Sequence, residues 1–400
     1  MNKKARSIAS ILLGISLLAA CTPTTTPVTT SAAGGTTTAG STTAGSTTAS
    51  TTGAGTTTGT KETTFGIKPF EKRQELRIGY FAGSALSIPF YIADKEGLFD
   101  ELNIDVKYET FTNGPAMMEA NADWDMGGAG SAGVLVGQIG FDLPMIGISD
   151  FEANQALFVR ADSPLAKDSD NPENWKGTKW LYPVGTTAHF TLSTKLNKVG
   201  LTDADITSVN MDVSSALNAF KGGEGDGLAV WNAFALRAEA DGFKRISDAG
   251  QLDITNSSGT LVTRDALKNK RDLIVKSWAV YYKTVDWIKA SDANFDKAVK
   301  YYLESANEEG IQLDEPIARG IMKYFAAPGF DEMVKLMTET APDPKGLFKE
   351  RELLKAEIDL LVTMDFFVSQ GKYTPENREK LLKNRLVDPS IAVEAAELFK

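Results

Sequence analysis

Two glycine-rich turns hold the residues best suited to chemistry. The first is Asp125-Met126-Gly127-Gly128-Ala129-Gly130-Ser131, and the second is Val184-Gly185-Thr186-Thr187-Ala188-His189-Phe190. The second reads as the end of a strand, a tight turn and the first turn of a helix. Trp180-Leu181-Tyr182 leads in with a strand's composition, and Leu192, Leu196 and Val199 continue at helical spacing. The first N–H groups of a helix have no partner inside it, and the helix dipole favours negative charge at that end. Such a junction suits an anionic group. It is also where Thr186 or Thr187 would simply cap a helix. A second junction of the same kind, at Gly130-Ser131, shifts the balance toward a ligand.

The same residues can be weighed for catalysis. Gly128 to Gly133 matches the G-x-G-x-x-G pattern, and Asp150 lies 22 residues past its first glycine. The preceding strand, Asp123 to Met126, is however short and acidic, whereas a dinucleotide-binding unit opens on a buried apolar strand. Ala129 to Gly133 approximates a nucleophile elbow with alanine in place of its first glycine. Ser131 would then need His189, the single histidine, as its base, and the order and spacing are wrong for an α/β-hydrolase. A meeting of Ser131 and His189 across a cleft stays open as an alternative. The acidic pairs Asp123/Asp125 and Glu308/Glu309 read as solvated charge, and Asp203/Asp205 lack the glycine and trailing ligands of a calcium loop. One cysteine and one histidine exclude an intrachain disulfide framework and a multi-histidine metal centre. No cofactor and no metal is expected.

Positioning these turns requires alternating strands and helices. Strands are predicted at Leu76–Phe81, Ile104–Tyr108, Asp123–Met126 and Leu143–Ile148, with Asn113 capping a helix through Met117 and Met118. The pattern restarts beyond Ala156–Val159, with strands at Thr178–Val184, Ile206–Met211, Leu228–Trp231 and Phe243–Ile246. Helices fit at Ala188–Val199, Ser214–Phe220 and Phe234–Ala240. After Leu261-Val262-Thr263 the chain is mostly helical, with one long amphipathic run from Asp265 to Ala290. The expected fold class is α/β: two units with largely parallel sheets, a helical C-terminal region, and a ligand cleft between the units.

Ahead of this body stand two segments of another kind. Lys3-Lys4-Ala5-Arg6 is a basic start, and Ile8 to Ala20 is an apolar run of 13 residues, too short to span a bilayer. It ends in Leu18-Ala19-Ala20-Cys21, which resembles the lipobox of bacterial lipoproteins. The resemblance implies a signal peptide over 1–20 and lipidation of Cys21 as the mature N-terminus. Thr22 to Thr60 is nearly all Thr, Ser, Gly, Ala and Pro without charge or aromatic residues, and the whole stretch 21–65 is expected to be a disordered tether. Its end-to-end reach would be on the order of 35 Å. The chain carries a formal charge of −10, and −13 once the three basic leader residues are set aside. An acidic body without a basic stripe argues against nucleic acid and against adsorption to anionic lipid.

Several ordered motifs together resemble one solute-binding family, the binding proteins of nitrate, sulfonate and taurine ABC importers. Ile88 to Phe99 resembles its "apolar helix, then A-x-E-x-G-L/F-F" opening, and Asp125 to Gly130 its "D-x-G-x-x-G" helix entry. Val184 to Phe190 is similar to its "G-S/T-T-A-H-Y/F" turn, and Ala216 to Phe220 with Asp226 to Trp231 to "A-x-x-A-F … D-A-x-A-V-W". The likeness runs from about Leu76 to the end of the chain. It implies a type II periplasmic-binding fold with two lobes, here 75–155 with 251–400, and 156–250, joined by crossings near Phe151–Leu157 and Asp248–Thr255. It further implies a ligand held by Gly130 and Ser131 from one lobe and Thr186 and Thr187 from the other, with Ser84 and Ala85 on the wall. Phe81, Phe151, His189 and Trp231 would pack on the organic part. The sequence departs from the family pattern at Phe151-Glu152-Ala153-Asn154-Gln155, where Glu152, facing the pocket, would disfavour a bare inorganic anion. The implied role is capture of a small organic, anionic solute by a lipid-anchored monomer on the extracytoplasmic face, for delivery to an ABC permease. Enzymes on the same fold, of pyrimidine-synthase or dehydratase type, and a sensory or adhesive lipoprotein are the alternatives.

Overall fold

A computed structural model describes residues 63–400, except Ala82, Ala153, Thr255 and the side chain of Glu152. Cys21 and the leader lie outside the described residues, as does the tether up to residue 62. From residue 63 the chain is packed. Thr63 Oγ1 donates to the Ile67 carbonyl, Ile67 is buried, and Phe65 and Phe70 lie against the core. Folded contacts therefore begin before Leu76 and take in the last residues of the expected tether. The sequence conceals this because Phe65, Ile67 and Phe70 are isolated apolar residues without a strand or helix period.

The first four strands are β1 (Gln74–Phe81), β2 (Ile104–Phe111), β3 (Met126–Ala129) and β4 (Met145–Glu152). The chain then forms β5 (Gln155–Val159), β6 (Lys179–Tyr182), β7 (Thr207–Asn210), β8 (Gly227–Trp231), β9 (Lys244–Asp248) and β10 (Asn256–Val262). They make two five-stranded sheets, ordered β2-β1-β3-β10-β4 and β7-β6-β8-β5-β9. The chain leaves the first sheet after β4 and returns to it at β10. Largely parallel sheets were expected, and β1 does pair in parallel with β2 and β3, as β6 does with β7 and β8. One strand in each sheet runs the other way. β5 is antiparallel to β8 and β9, and β10 to β3 and β4. These are the two strands that arrive from the other sheet, so each enters from the end opposite to its neighbours.

Two departures from the sequence reading bear on the site. β3 is Met126-Gly127-Gly128-Ala129, not Asp123–Met126. A Cβ on Gly127 would stand 2.1 Å from the Gly79 carbonyl oxygen, and one on Gly128 2.8 Å from Leu86 Cβ. Bare backbone thus lets β3 lie deep between β1 and the segment leading into helix Ile88–Lys95. The glycines of the G-x-G-x-x-G pattern serve this packing: Gly133 sits against Gly114 between two helices. Asp125, just before β3, is fully buried and accepts from Arg77 Nη2 at 2.8 Å, Arg77 N at 2.9 Å and Lys270 Nζ at 2.8 Å. The long helix expected over Asp265–Ala290 is two helices, Arg264–Asn269 and Arg271–Lys289, interrupted at Lys270. The break lets the Lys270 ammonium reach Asp125, a tertiary contact that no helical period encodes.

Each sheet has its own apolar core. Helix Arg271–Lys289 closes the first one, burying Trp278, Tyr281 and Tyr282. Their polar tips donate to strand and turn carbonyls: Trp278 Nε1 to Ile146, Tyr282 to Ile148 and Tyr281 to Leu86, at 2.7 to 2.9 Å. Phe81 and Leu86, from the β1 end of the first sheet, pack instead with the core of the second. Among the described residues no helix is long and apolar enough to cross a membrane.

Candidate ligand-binding site

The ends of β1, β3, β4 and β8 and the turn after β6 meet at one pocket between the two sheets. It encloses about 440 Å³, part of it open to solvent, and its lining includes Phe81, Ser84, Gly130, Thr186, Thr187 and Trp231. Three helices start there: Ser131–Phe141 after Gly130, Thr187–Lys198 after Thr186, and Asn232–Ala240 after Trp231. None of the three has a side-chain cap. Several helices elsewhere do, as at Asn113, Asp212, Thr263 and Ser291, while those that start after Ser87, Lys270, Gly329 and Pro389 do not. Three uncapped N-termini around one space make a strongly anion-attracting point without a cationic side chain. No lysine, arginine or histidine is among the described residues that line it.

Side-chain donors complete the arrangement. The Trp231 indole N–H is buried and has no hydrogen-bond partner, and its ring meets Phe81 edge-on at 6.2 Å across the two sheets. Asn232 next to it holds φ at +44°, a left-handed conformation that asparagine tolerates better than most residues. The Thr186 hydroxyl is committed to the turn, donating to the Pro183 carbonyl at 2.7 Å. That leaves Thr187 as the hydroxyl of this pair available for a ligand.

The other expected residues stand elsewhere. Ser131 is fully buried, and its Oγ accepts from Asn256 Nδ2 and Thr363 Oγ1, both at 3.0 Å. Its side chain belongs to the interior of the first lobe, so only its backbone is placed at the helix start. Ala85 is buried in the first core, with Leu86 taking its place at the pocket, and Phe151 packs against the same core. The side chain of Glu152 lies outside the described positions.

His189 does not line the pocket, and the reading of it as a pocket wall is corrected. It sits in the first turn of Thr187–Lys198, and its ring is bonded by the loop before it. Gly185 N–H donates to its Nδ1 at 3.1 Å, which makes Nε2 the protonated nitrogen, donating to Asp203 Oδ2 at 2.9 Å. Lys372, from the first lobe, lies 2.9 to 3.0 Å from the ring nitrogens. Burial opposes ionisation of Asp203, but bonds from His189 and Ser193 and the nearby Lys372 charge bring its pKa down to about 2. Burial lowers the Lys372 pKa, partly offset by Asp203. His189 thus pins the Gly185-Thr186-Thr187 turn. Ser131 and His189 are each held by other partners, and the structure forms no nucleophile–base pair from them.

Three polar residues of the pocket, Asp150, Ser258 and Gln155, were not placed there by the sequence. Asp150 on β4 is 2% exposed, lines the pocket and accepts from Ala326 N at 2.7 Å. Its ladder partner on β10, Ser258, lines it as well. In the sequence Asp150 merely follows an apolar strand, and only the return of β10 reveals which way it faces. Gln155, opposite Trp231 in the β5–β8 ladder, joins them. The pocket therefore combines a positive end built from backbone with one buried carboxylate.

Comparison with known proteins fits this architecture. An inferred ABC transporter periplasmic binding protein of Brachyspira hyodysenteriae is 24% identical over 306 residues, covering 72% of this chain and 81% of its own. An inferred aliphatic sulfonates-binding protein of Escherichia coli is 28% identical over 202 residues, covering 49% of this chain and 61% of its own. The alkanesulfonate-binding protein SsuA of Xanthomonas axonopodis pv. citri, solved bound to MOPS, shares the fold. It superimposes with a TM-score of 0.59 and 18% identity over 76% of this chain and 95% of its own. The model of the NMT1/THI5-like family matches residues 85–293, more than half of the sequence. The chain belongs to the NMT1/THI5-like family.

Proposed function

We propose that this protein is the solute-binding component of an ABC importer, and that it captures a small organic anion of the sulfonate or carboxylate class. The observation that carries the reading is the meeting of three uncapped helix N-termini in one pocket between two lobes. The anionic head sits at those helix starts, with Trp231 Nε1 and the Thr187 hydroxyl as further donors. Asp150 favours a ligand that also carries an amine or hydroxyl, because a bare inorganic anion would meet its carboxylate without compensation. Elements of the two lobes hold the same head, so binding favours lobe closure, the state a permease would recognise. Cys21 anchors the protein by lipid to the extracytoplasmic face of the membrane, and the segment after it provides reach. The role is binding without turnover: Ser131 and His189, the residues a hydrolase would need, are engaged by other side chains.

A thermal-shift screen of sulfonates, amino sulfonates and carboxylates, with mass spectrometry of co-purifying compounds, tests this. A melting temperature several degrees higher with one of these ligands, and the ligand recovered chemically unchanged, is expected. Absence of any shift up to about 10 mM, where even weak specific binding registers, would sink the proposal.

A further inference from the structure

A second cavity lies in the first lobe, on the far side of Ser84 from the pocket described above. It spans about 430 Å³, part of it open to solvent, and its walls include Tyr80, Ser87, Tyr91, Tyr108, Glu308 and Glu309, with Ser84 on its border. In the sequence Glu308 and Glu309 read as solvated charge, and for Glu308 exposure bears this out. Glu309 turns inward. It accepts from Gly83 N at 2.7 Å and from Ser305 Oγ at 3.3 Å, and no lysine or arginine of the described residues lies within 4.0 Å of it. Burial raises its pKa above the ordinary carboxylate value, as follows for a carboxyl kept from water without a cation beside it.

Three of the remaining walls are tyrosine rings, beside Ile88 and the serines Ser84, Ser87 and Ser305. Tyr80 and Tyr108 meet edge to face at 5.9 Å and 87°, and Tyr91 and Tyr108 at 6.2 Å and 55°. Neither pair is stacked. The Tyr91 ring already attracts one cation, with Lys95 Nζ 4.9 Å from its centre while that ammonium pairs with Glu304 and Glu308. Ser87, 5% exposed, lines the cavity with a buried hydroxyl that has no hydrogen-bond partner.

We infer that this cavity is a second binding site, taking an organic ammonium group: the tyrosine rings receive the alkyl-ammonium face, Glu309 supplies the counter-charge, and Ser87 bonds a polar substituent. Cation–π attraction is strongest for a desolvated cation over aromatic faces, and methylated ammonium ions lose little hydration on entering. A metal ion fits less well, since calcium requires six to eight oxygen ligands and this wall offers two carboxylates.

Choline is the probe, and its uncharged isostere 3,3-dimethyl-1-butanol the control, in calorimetric titrations of the whole protein. Choline is expected to bind, with the isostere weaker by about tenfold or more, the factor a desolvated cation–π contact and a buried counter-charge represent. Glu309→Gln, which retains an acceptor for Gly83 N–H, and Tyr91→Leu should each weaken choline by about tenfold. Tyr91→Phe, which keeps the ring, should bind choline nearly as well as the parent. Thr187→Val, in the other pocket, should leave choline binding unchanged, so this site and the anion site stand or fall separately. The inference is overturned by no choline binding up to about 10 mM, by equal binding of the isostere, by undiminished binding in a folded Glu309→Gln protein, or by loss of binding in Thr187→Val.

Discussion

At the scale of single residues, the chemistry of the anion pocket is carried by backbone and by few side chains. Thr187 and Trp231 are the sharpest cases. Thr187→Val keeps the shape and removes a hydroxyl, and Trp231→Phe removes the indole N–H. Each is expected to weaken an anionic ligand by about tenfold to a hundredfold in calorimetric titration, the range for one hydrogen bond to a charged group. Thr186→Val should act differently, by freeing the Pro183 carbonyl and loosening the turn. Asp203 gives a pH test. Its pKa falls in the folded protein from the ordinary 3.8 to about 2, so it contributes stability above pH 4 that is lost as pH drops toward 2. Asp203→Asn should lower stability near neutral pH by on the order of 2 kcal/mol and flatten the acid limb between pH 4 and 2. Urea midpoints measured across that range read both effects.

At the scale of elements, a few buried polar contacts hold the strands and turns where the site needs them. Asp125 ties the end of β3 to β1 through Arg77 and to the broken helix through Lys270. Asp125→Ala leaves two cations partly buried without their partner and should cost about 3 kcal/mol in urea unfolding. Gly127→Ala is expected to be at least as harmful, because its Cβ would collide with strand backbone and not with a yielding side chain. The sequence makes most elements legible at this scale. The helix starts at Gly130 and Thr186, and the strands around Leu76, Ile104 and Leu228, follow from period and composition. Three elements resist such reading for specific reasons. β3 is half glycine and has no strand-like pattern. The break at Lys270 answers a carboxylate far away in sequence. Phe65 and Ile67 have no periodic neighbours to mark them.

For the whole molecule, the question is how the two lobes are held relative to each other. Lys372 reaches from the first lobe to His189 and Asp203 of the second, and Phe190 packs on Phe366 at 4.3 Å and Phe367 at 5.8 Å beside it. This cluster lies outside the pocket yet grips the helix whose first turn forms half of it. Lys372→Ala should shift the ligand-free protein toward a more open arrangement. A larger radius of gyration in solution scattering and a fall in ligand affinity of about fivefold, the factor that corresponds to about 1 kcal/mol, are the expected readouts.

Taken alone, the sequence determined the α/β class, the two turns that open helices at the anion site and the family resemblance. These are local or ordered features: glycine and threonine at a strand–helix junction, and motifs in series along the chain. It also suggested Ser131 as a ligand donor, His189 as a pocket wall and Glu309 as solvated charge, directions that the neighbours along the chain do not fix. Tertiary structure decided that Ser131 turns to Asn256 and Thr363, that His189 pins a turn, and that Asp150 and Ser258 stand together in the pocket. The reason is geometric. A side chain's direction in a sheet depends on the register of a strand that returns a hundred residues later, and burial of a carboxylate depends on what packs over it. Neither is encoded in the neighbours along the chain.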